Sequence, residues 1–239
     1  MTFGIRLASA LALLLGAPTM SLASPTATAS ATATVQQILD GKELYIDARQ
    51  AVVKQKASSP QDISTRNSRG QLAFASGAVG RINRNSQLRL GDSCFLLSKG
   101  QILVSGAQSG CTRSSRLSVR GTNYLLEVDE NDQAELSVLE GAVEVETLKD
   151  GEPTGAAPTR VEAGQKLRLS PEGVILTLLK ISSGDYTSIL NGPLFEGFSI
   201  PLPAMGALNN YIRSNVPGVS IPGLPGLPSL PGLGLPRFF

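Results

Sequence analysis

Between residues 35 and about 179 the chain never stays apolar for long. It breaks into short stretches in which apolar and polar residues alternate, separated by Gly, Asn, Asp and Ser. A period of two puts successive side chains on opposite faces of an extended strand, a pattern that a helix of period 3.6 does not satisfy. Leu72-Ala73-Phe74, Leu88-Arg89-Leu90, Phe95-Leu96-Leu97, Ile102-Leu103-Val104 and Tyr124-Leu125-Leu126-Glu127-Val128 are the clearest examples. Leu136, Val138, Val143 and Val145 continue the alternation around a bend. Short strands at this spacing predict a mainly β domain built as a sandwich, a barrel or a short solenoid. Local signals agree. Lys99-Gly100, between two apolar runs, predicts a tight hairpin. Glu140-Gly141 marks a bend at which glycine accepts positive φ. Ser170-Pro171-Glu172-Gly173 predicts a turn joining residues 166–169 to 174–179.

Composition then limits the chemistry. The 239 residues contain no histidine and no tryptophan. Without imidazole there is no Ser–His or Cys–His nucleophile, no His-based metal site and no general base naturally poised near neutral pH. A net charge of +2 gives no global drive toward nucleic acid or an anionic membrane. Branched aliphatic side chains must carry the packing. We therefore expect a non-enzymatic domain without cofactor or metal and without a nucleic-acid partner.

The first residues speak to compartment. Arg6, a short apolar run over residues 7–17 and the small residues of Ser21-Leu22-Ala23 read as a cleavable signal peptide over 1–23. The run is shorter than the roughly 18 to 20 residues that span hydrocarbon. The expected mature protein is periplasmic or secreted, with no transmembrane anchor after leader cleavage. In that setting Cys94 and Cys111 suggest a disulfide, closing a chain that folds back as a hairpin and stabilising by roughly 3 kcal/mol in the chain-entropy picture.

The expected organisation continues with a flexible Ala/Thr/Ser/Pro linker over 24–34, a β domain over 35–150 and a β extension over 151–180. A short helical segment over 181–215 follows, in which Ser182 or Ser183 caps a helix through Leu190 and Gly192-Pro193 stops it. A second helix over 204–214 would group Leu208, Tyr211 and Ile212 on one face. Residues 216–239 form a Pro/Gly/Leu-rich tail. There Leu224, Leu227, Leu230 and Leu233 recur every third residue, a spacing that in polyproline II makes an apolar docking ridge.

Charge is uneven along the chain. Arg66, Arg69, Arg81, Arg84, Arg89, Lys99, Arg113, Arg116 and Arg120 make the middle basic, and Glu127, Asp129, Glu130, Asp132, Glu135, Glu140, Glu144, Glu146, Asp150 and Glu152 make the next stretch acidic. Cross-strand pairing, at about 0.2 to 1 kcal/mol per pair, accounts for this; a basic face for an acidic envelope polymer is the functional alternative. Asp129, Glu130, Asn131 and Asp132 lack the spacing and glycine of a calcium loop and read as a solvated hairpin tip. Glu140 has no second carboxylate that the sequence places beside it, as paired-carboxylate hydrolysis requires.

Three segments carry a family resemblance. The stretch Ser76-Gly77-Ala78-Val79-Gly80-Arg81-Ile82-Asn83-Arg84-Asn85-Ser86-Gln87-Leu88, the segment Val119-Arg120-Gly121-Thr122-Asn123-Tyr124 and the segment Val138-Leu139-Glu140-Gly141-Ala142-Val143 resemble, in order and spacing, the FecR domain of extracytoplasmic signalling regulators. The resemblance implies a FecR-like β-sandwich or twisted β-solenoid used in protein interaction. It makes Gly121, Thr122, Glu140 and Gly141 structural turn residues. The well-known regulators carry a sigma-factor-binding segment and a membrane helix before this module; here a leader is expected in their place. The cysteine pair and the segment after Gly151 are similar to exported FecR-domain proteins of cyanobacteria. The resulting expectation is an exported module that binds a protein partner or envelope component, in envelope signalling. A structural cell-wall or polysaccharide-binding protein is the alternative, and an exported hydrolase the third reading.

Overall fold

The computed structural model describes Met1 and residues 31–222; the expected signal peptide, most of the expected linker and the leucine ridge lie outside the described residues. The alternating stretches form strands. The first eight are β1 (Thr32–Leu39), β2 (Leu44–Ile46), β3 (Arg49–Gln50), β4 (Lys56–Ser58), β5 (Asp62–Thr65), β6 (Arg69–Phe74), β7 (Val79–Ile82) and β8 (Gln87–Leu90). Then follow β9 (Phe95–Gly106), β10 (Gly110–Cys111), β11 (Ser115–Val119), β12 (Thr122–Val128), β13 (Ala134–Glu140) and β14 (Ala142–Lys149). The chain continues through β15 (Glu152–Pro153), β16 (Thr159–Glu162), β17 (Gln165–Leu169), β18 (Ile175–Lys180), α1 (Ser183–Leu190) and α2 (Met205–Asn215). β1 opens inside the stretch expected as linker.

The strands make two layers. Layer A runs β4-β1-β6-β7-β9-β12-β13-β17-β18, and layer B runs β3-β2-β5-β8-β9-β10-β11-β14-β16. Past the short edge strands β4 and β3, both orders advance with the sequence, so a sandwich is built by a solenoid-like progression from one edge to the other. Residues 151–180 complete both layers. The inward residues of each interleave in one core: Val35, Leu72, Leu126 and Leu136 from layer A meet Leu44, Ile63, Leu88, Leu117 and Val161 from layer B. Fully burying such a side chain contributes about 1.5 to 3 kcal/mol, enough for aliphatic packing to hold a chain without tryptophan.

β9 belongs to both layers. Phe95 to Lys99 pair with β8 in layer B, and Gly100 to Gly106 pair with β12 in layer A. The hairpin expected at Lys99-Gly100 is therefore a corner inside one continuous strand. Gly100 takes φ +83°, and a Cβ there would lie 2.6 Å from Ser86 Cα, so the corner closes against the neighbouring backbone and excludes any side chain. A second correction follows. The chain between Cys94 and Cys111 is not a hairpin; it crosses to layer A and returns, so that β10 runs parallel to β9. The disulfide is present, with the two Cα atoms 5.8 Å apart.

Beyond β18 the helical expectations hold. Ser182 caps α1, accepting from the Asp185 amide while the Asp185 carboxylate accepts from the Ser182 amide. Leu208 and Ile212 of α2 are buried, with Tyr211 beside them. No helix of the described residues is long and apolar enough to cross a membrane.

Candidate interaction surface

The two layers each have an outer face, and the chain treats them differently. On layer A the outward residues Val79, Leu103, Leu125 and Leu139 are covered by the C-terminal segment. Ile181, Tyr186, Leu190, Leu194, Leu202, Leu208, Ile212, Val216 and Ile221 pack on them as a second core. Tyr186 reaches through to donate its hydroxyl to the Leu139 carbonyl at 3.0 Å.

Arginines fasten this cover. Arg81 on β7 donates to the carbonyls of Leu194 and Ile200, each at 3.0 Å, and to Gln71 Oε1 at 2.8 Å; its guanidinium lies 4.4 Å from the Phe198 ring centroid. Burial holds its pKa down to about 10, still charged at neutral pH. Arg69 on β6 donates to the carbonyls of Pro193 and Glu196 and pairs with Asp40. That guanidinium holds the Asp40 carboxyl below its usual value, with Arg84 adding to the effect. Where the description ends, Ile221 and Pro222 line a groove of about 520 Å³ with Phe195, Phe198, Leu202 and Met205.

The outer face of layer B has no cover among the described residues. Register places one row straight across it: Asp62 opposite Arg89, Arg89 opposite Leu96, Leu96 opposite Cys111, Cys111 opposite Arg116 and Arg116 opposite Glu146. Outward parity explains the row, because Leu88, Leu90, Leu97 and Leu117 alternate with these residues and point into the core. A shallow concavity of about 920 Å³ lies over the row, floored by Leu96, Leu148 and the disulfide and flanked by Arg89, Arg113 and Arg116. Arg89 is fully partnered, with Nε and Nη2 on the two Asp62 oxygens at 2.9 and 3.0 Å. Arg116 is not: it makes one long hydrogen bond to Glu146 at 3.4 Å, and its buried Nε has no acceptor. An orphaned donor of this kind is costly.

The residues expected to be structural come together at one corner. Gly121 and Gly141 each stand where the chain passes between layers, after β11 and after β13. Gly141 takes φ +84°, and a Cβ there would meet Thr122 Oγ1 at 2.9 Å. Thr122 donates its hydroxyl to the Ala142 carbonyl, and Asn123 Nδ2 donates to Glu140 Oε2 and to the Ala204 carbonyl at the start of α2. Glu140 thus holds the corner, and Asn123 ties it to the start of α2. The acidic cluster is a hairpin tip in which Asp129 Oδ1 accepts from the amides of Asn131 and Gln133. Cross-strand pairing accounts for much of the charge pattern, as in Arg89–Asp62, Arg116–Glu146 and Arg168–Glu135. The sequence reading missed the layer B row. Its signal was present in the outward parity of Arg89, Leu96 and Arg116, but only strand order aligns them.

Comparison with known proteins bears on the same region. The family described as FecR protein matches residues 61–144, from β5 into β14. No curated protein matches the chain. Two crystal structures of a candidate anti-sigma factor from Parabacteroides distasonis are similar at 18% identity and a TM-score of 0.40, covering 50% of this chain and 59% of that one. The stretch that matches the FecR family, residues 61–144, is set within a larger two-layer β fold whose remaining strands and C-terminal cover come from the residues around it.

Proposed function

We propose that the protein is an exported, non-enzymatic FecR-like module that binds a protein partner of the cell envelope on the outer face of layer B, in envelope signalling. The observation that carries this reading is the uncovered, mainly apolar concavity of layer B, beside which Arg116 is held by a single long hydrogen bond to Glu146. Layer A supplies a template for what such a face accepts. There Arg81, opposite Leu103, takes main-chain carbonyls and a phenylalanine ring from an irregular segment. Peptide carbonyls and apolar side chains suit the layer B face equally. Sugar rings are bound best on aromatic platforms, and the lining of the concavity contains no aromatic residue. Export is supported by the leader-like residues 1–23 and by the Cys94–Cys111 bond, which persists in oxidising compartments.

The test places a photo-crosslinking residue at Leu96 in one strain and at Ser183, on the other side of the molecule, in a second. A discrete protein adduct from position 96, absent from 183 and abolished by Arg116→Glu, supports the reading. Adducts from 183 alone, or retention by isolated wall polysaccharide with no protein adduct at 96, overturn it in favour of a covered-face or cell-wall role.

A further inference from the structure

The four sheet edges are unequal. β3 is two residues long and fully exposed, β4 is three residues and carries Lys56, and β16 presents Arg160 and Glu162. Short, charged edges of this kind resist pairing with another chain. β18 is the reverse. It is six residues long, exposed throughout and hydrogen-bonded only to β17 among the described residues. Val174, Ile175, Leu176, Leu178 and Leu179 are between 41 and 60% exposed; the remaining exposed large apolar residues described are Met1, Val52 and Val53. A strand edge offers unpaired N–H and C=O groups, and here apolar side chains flank them on both faces.

We infer that β18 is the contact of a symmetric dimer, in which two copies join edge to edge and layer A continues from one copy into the other. The strand is complementary to itself. In an antiparallel pairing centred on Leu178, that residue lies opposite its own copy, on the side where Leu178 neighbours the buried Leu167. Thr177 then lies opposite Leu179, and the single charge of the strand, Lys180, lies opposite Leu176. No like charges meet. The rest of the chain is poorly suited to the edge. Residue 31 leads into β1, at the opposite side of layer A. The sequence after 222 has proline at 225, 228 and 231, which lacks the N–H donors of a ladder.

The full chain should show a concentration-dependent dimer in sedimentation or in light scattering after gel filtration. Leu178→Lys, which sets two cations face to face at the symmetry axis, should weaken it at least about tenfold, with an unchanged melting midpoint as the fold control. Leu178→Cys should yield a covalent dimer on mild oxidation, and this remains informative if the lysine variant folds poorly. A wild-type chain that stays monomeric at every concentration, or a dimer that survives Leu178→Lys without trapping by Leu178→Cys, overturns the inference. Dimerisation only after truncation at Pro222 also overturns it, and assigns the edge to the chain's own tail.

Discussion

The outer faces of layers A and B begin from similar chemistry and end differently. Each has an arginine beside a leucine in a cross-strand row, Arg81 with Leu103 on one and Arg89 with Leu96 on the other. On layer A a segment of the same chain supplies the carbonyls, the aromatic ring and the apolar cover, and the arginine becomes part of a second core. On layer B the covalent bond between Cys94 and Cys111 lies along the row in place of a cover, and Arg116 is left with unused donors. The contrast teaches that an outward arginine in this fold takes main-chain carbonyls where a segment covers it, as Arg81 does, and a neighbouring carboxylate where none does, as Arg89 does with Asp62. Whether it reads as core or as surface depends on which of the two it meets.

That contrast can be broken at several points. Tyr186→Ala removes the largest fully buried side chain of the cover and should cost about 4 kcal/mol. Hydrogen exchange over residues 181–222 should rise, and an apolar dye should bind newly exposed Leu103 and Leu125. A melt and exchange pattern equal to the parent would mean that the cover is not a packed unit. Changing both Cys94 and Cys111 to Ser should cost about 3 kcal/mol yet leave protection of residues 181–222 intact. Loss of protection there would show that the two faces are coupled more tightly than described.

A smaller effect is expected from Asp40→Asn, which weakens the anchor of the cover through Arg69. The Asp40 carboxyl is lowered chiefly by its hydrogen bond with Arg69. Its stabilisation is therefore fully present above the unfolded carboxyl range near pH 4 and is lost as pH falls through the lower folded value. The variant should be about 1 kcal/mol less stable at neutral pH and lose less than the parent on acidification, as read from urea midpoints across that range. Equal acid slopes would remove Asp40 from the anchor. Smallest of all in stability, Arg116→Ala should shift the melt by no more than about 0.5 kcal/mol while abolishing the adduct formed at position 96. A large loss of stability instead would make Arg116 a structural residue.

Much of this architecture was legible from residue order. Period-two alternation gave the strands, and Ser182 with Asp185 gave the start of α1, because both are local signals. The bend at Gly141 was also legible, since few other residues tolerate its backbone. Lys99-Gly100 misled because a glycine between apolar runs looks the same whether the chain doubles back in one sheet or turns from one sheet into another. The difference lies in Ser86, fourteen positions earlier and pressed against Gly100. The layer B row was illegible for the same reason: its six members come from six strands and share only register. Arg81 read as one more surface cation, because its ring and carbonyl partners lie more than a hundred residues downstream.

β9 has a mechanical consequence. Two sheets that share only side-chain contacts can slide or peel apart under load, one after the other. Here a single covalent strand is stitched into both, in layer B through Phe95 to Lys99 and in layer A through Gly100 to Gly106. A pull that separates the sheets must shear backbone hydrogen bonds on one side of Gly100 or the other. The molecule should therefore yield in one abrupt event, as a riveted joint does, rather than unzip layer by layer.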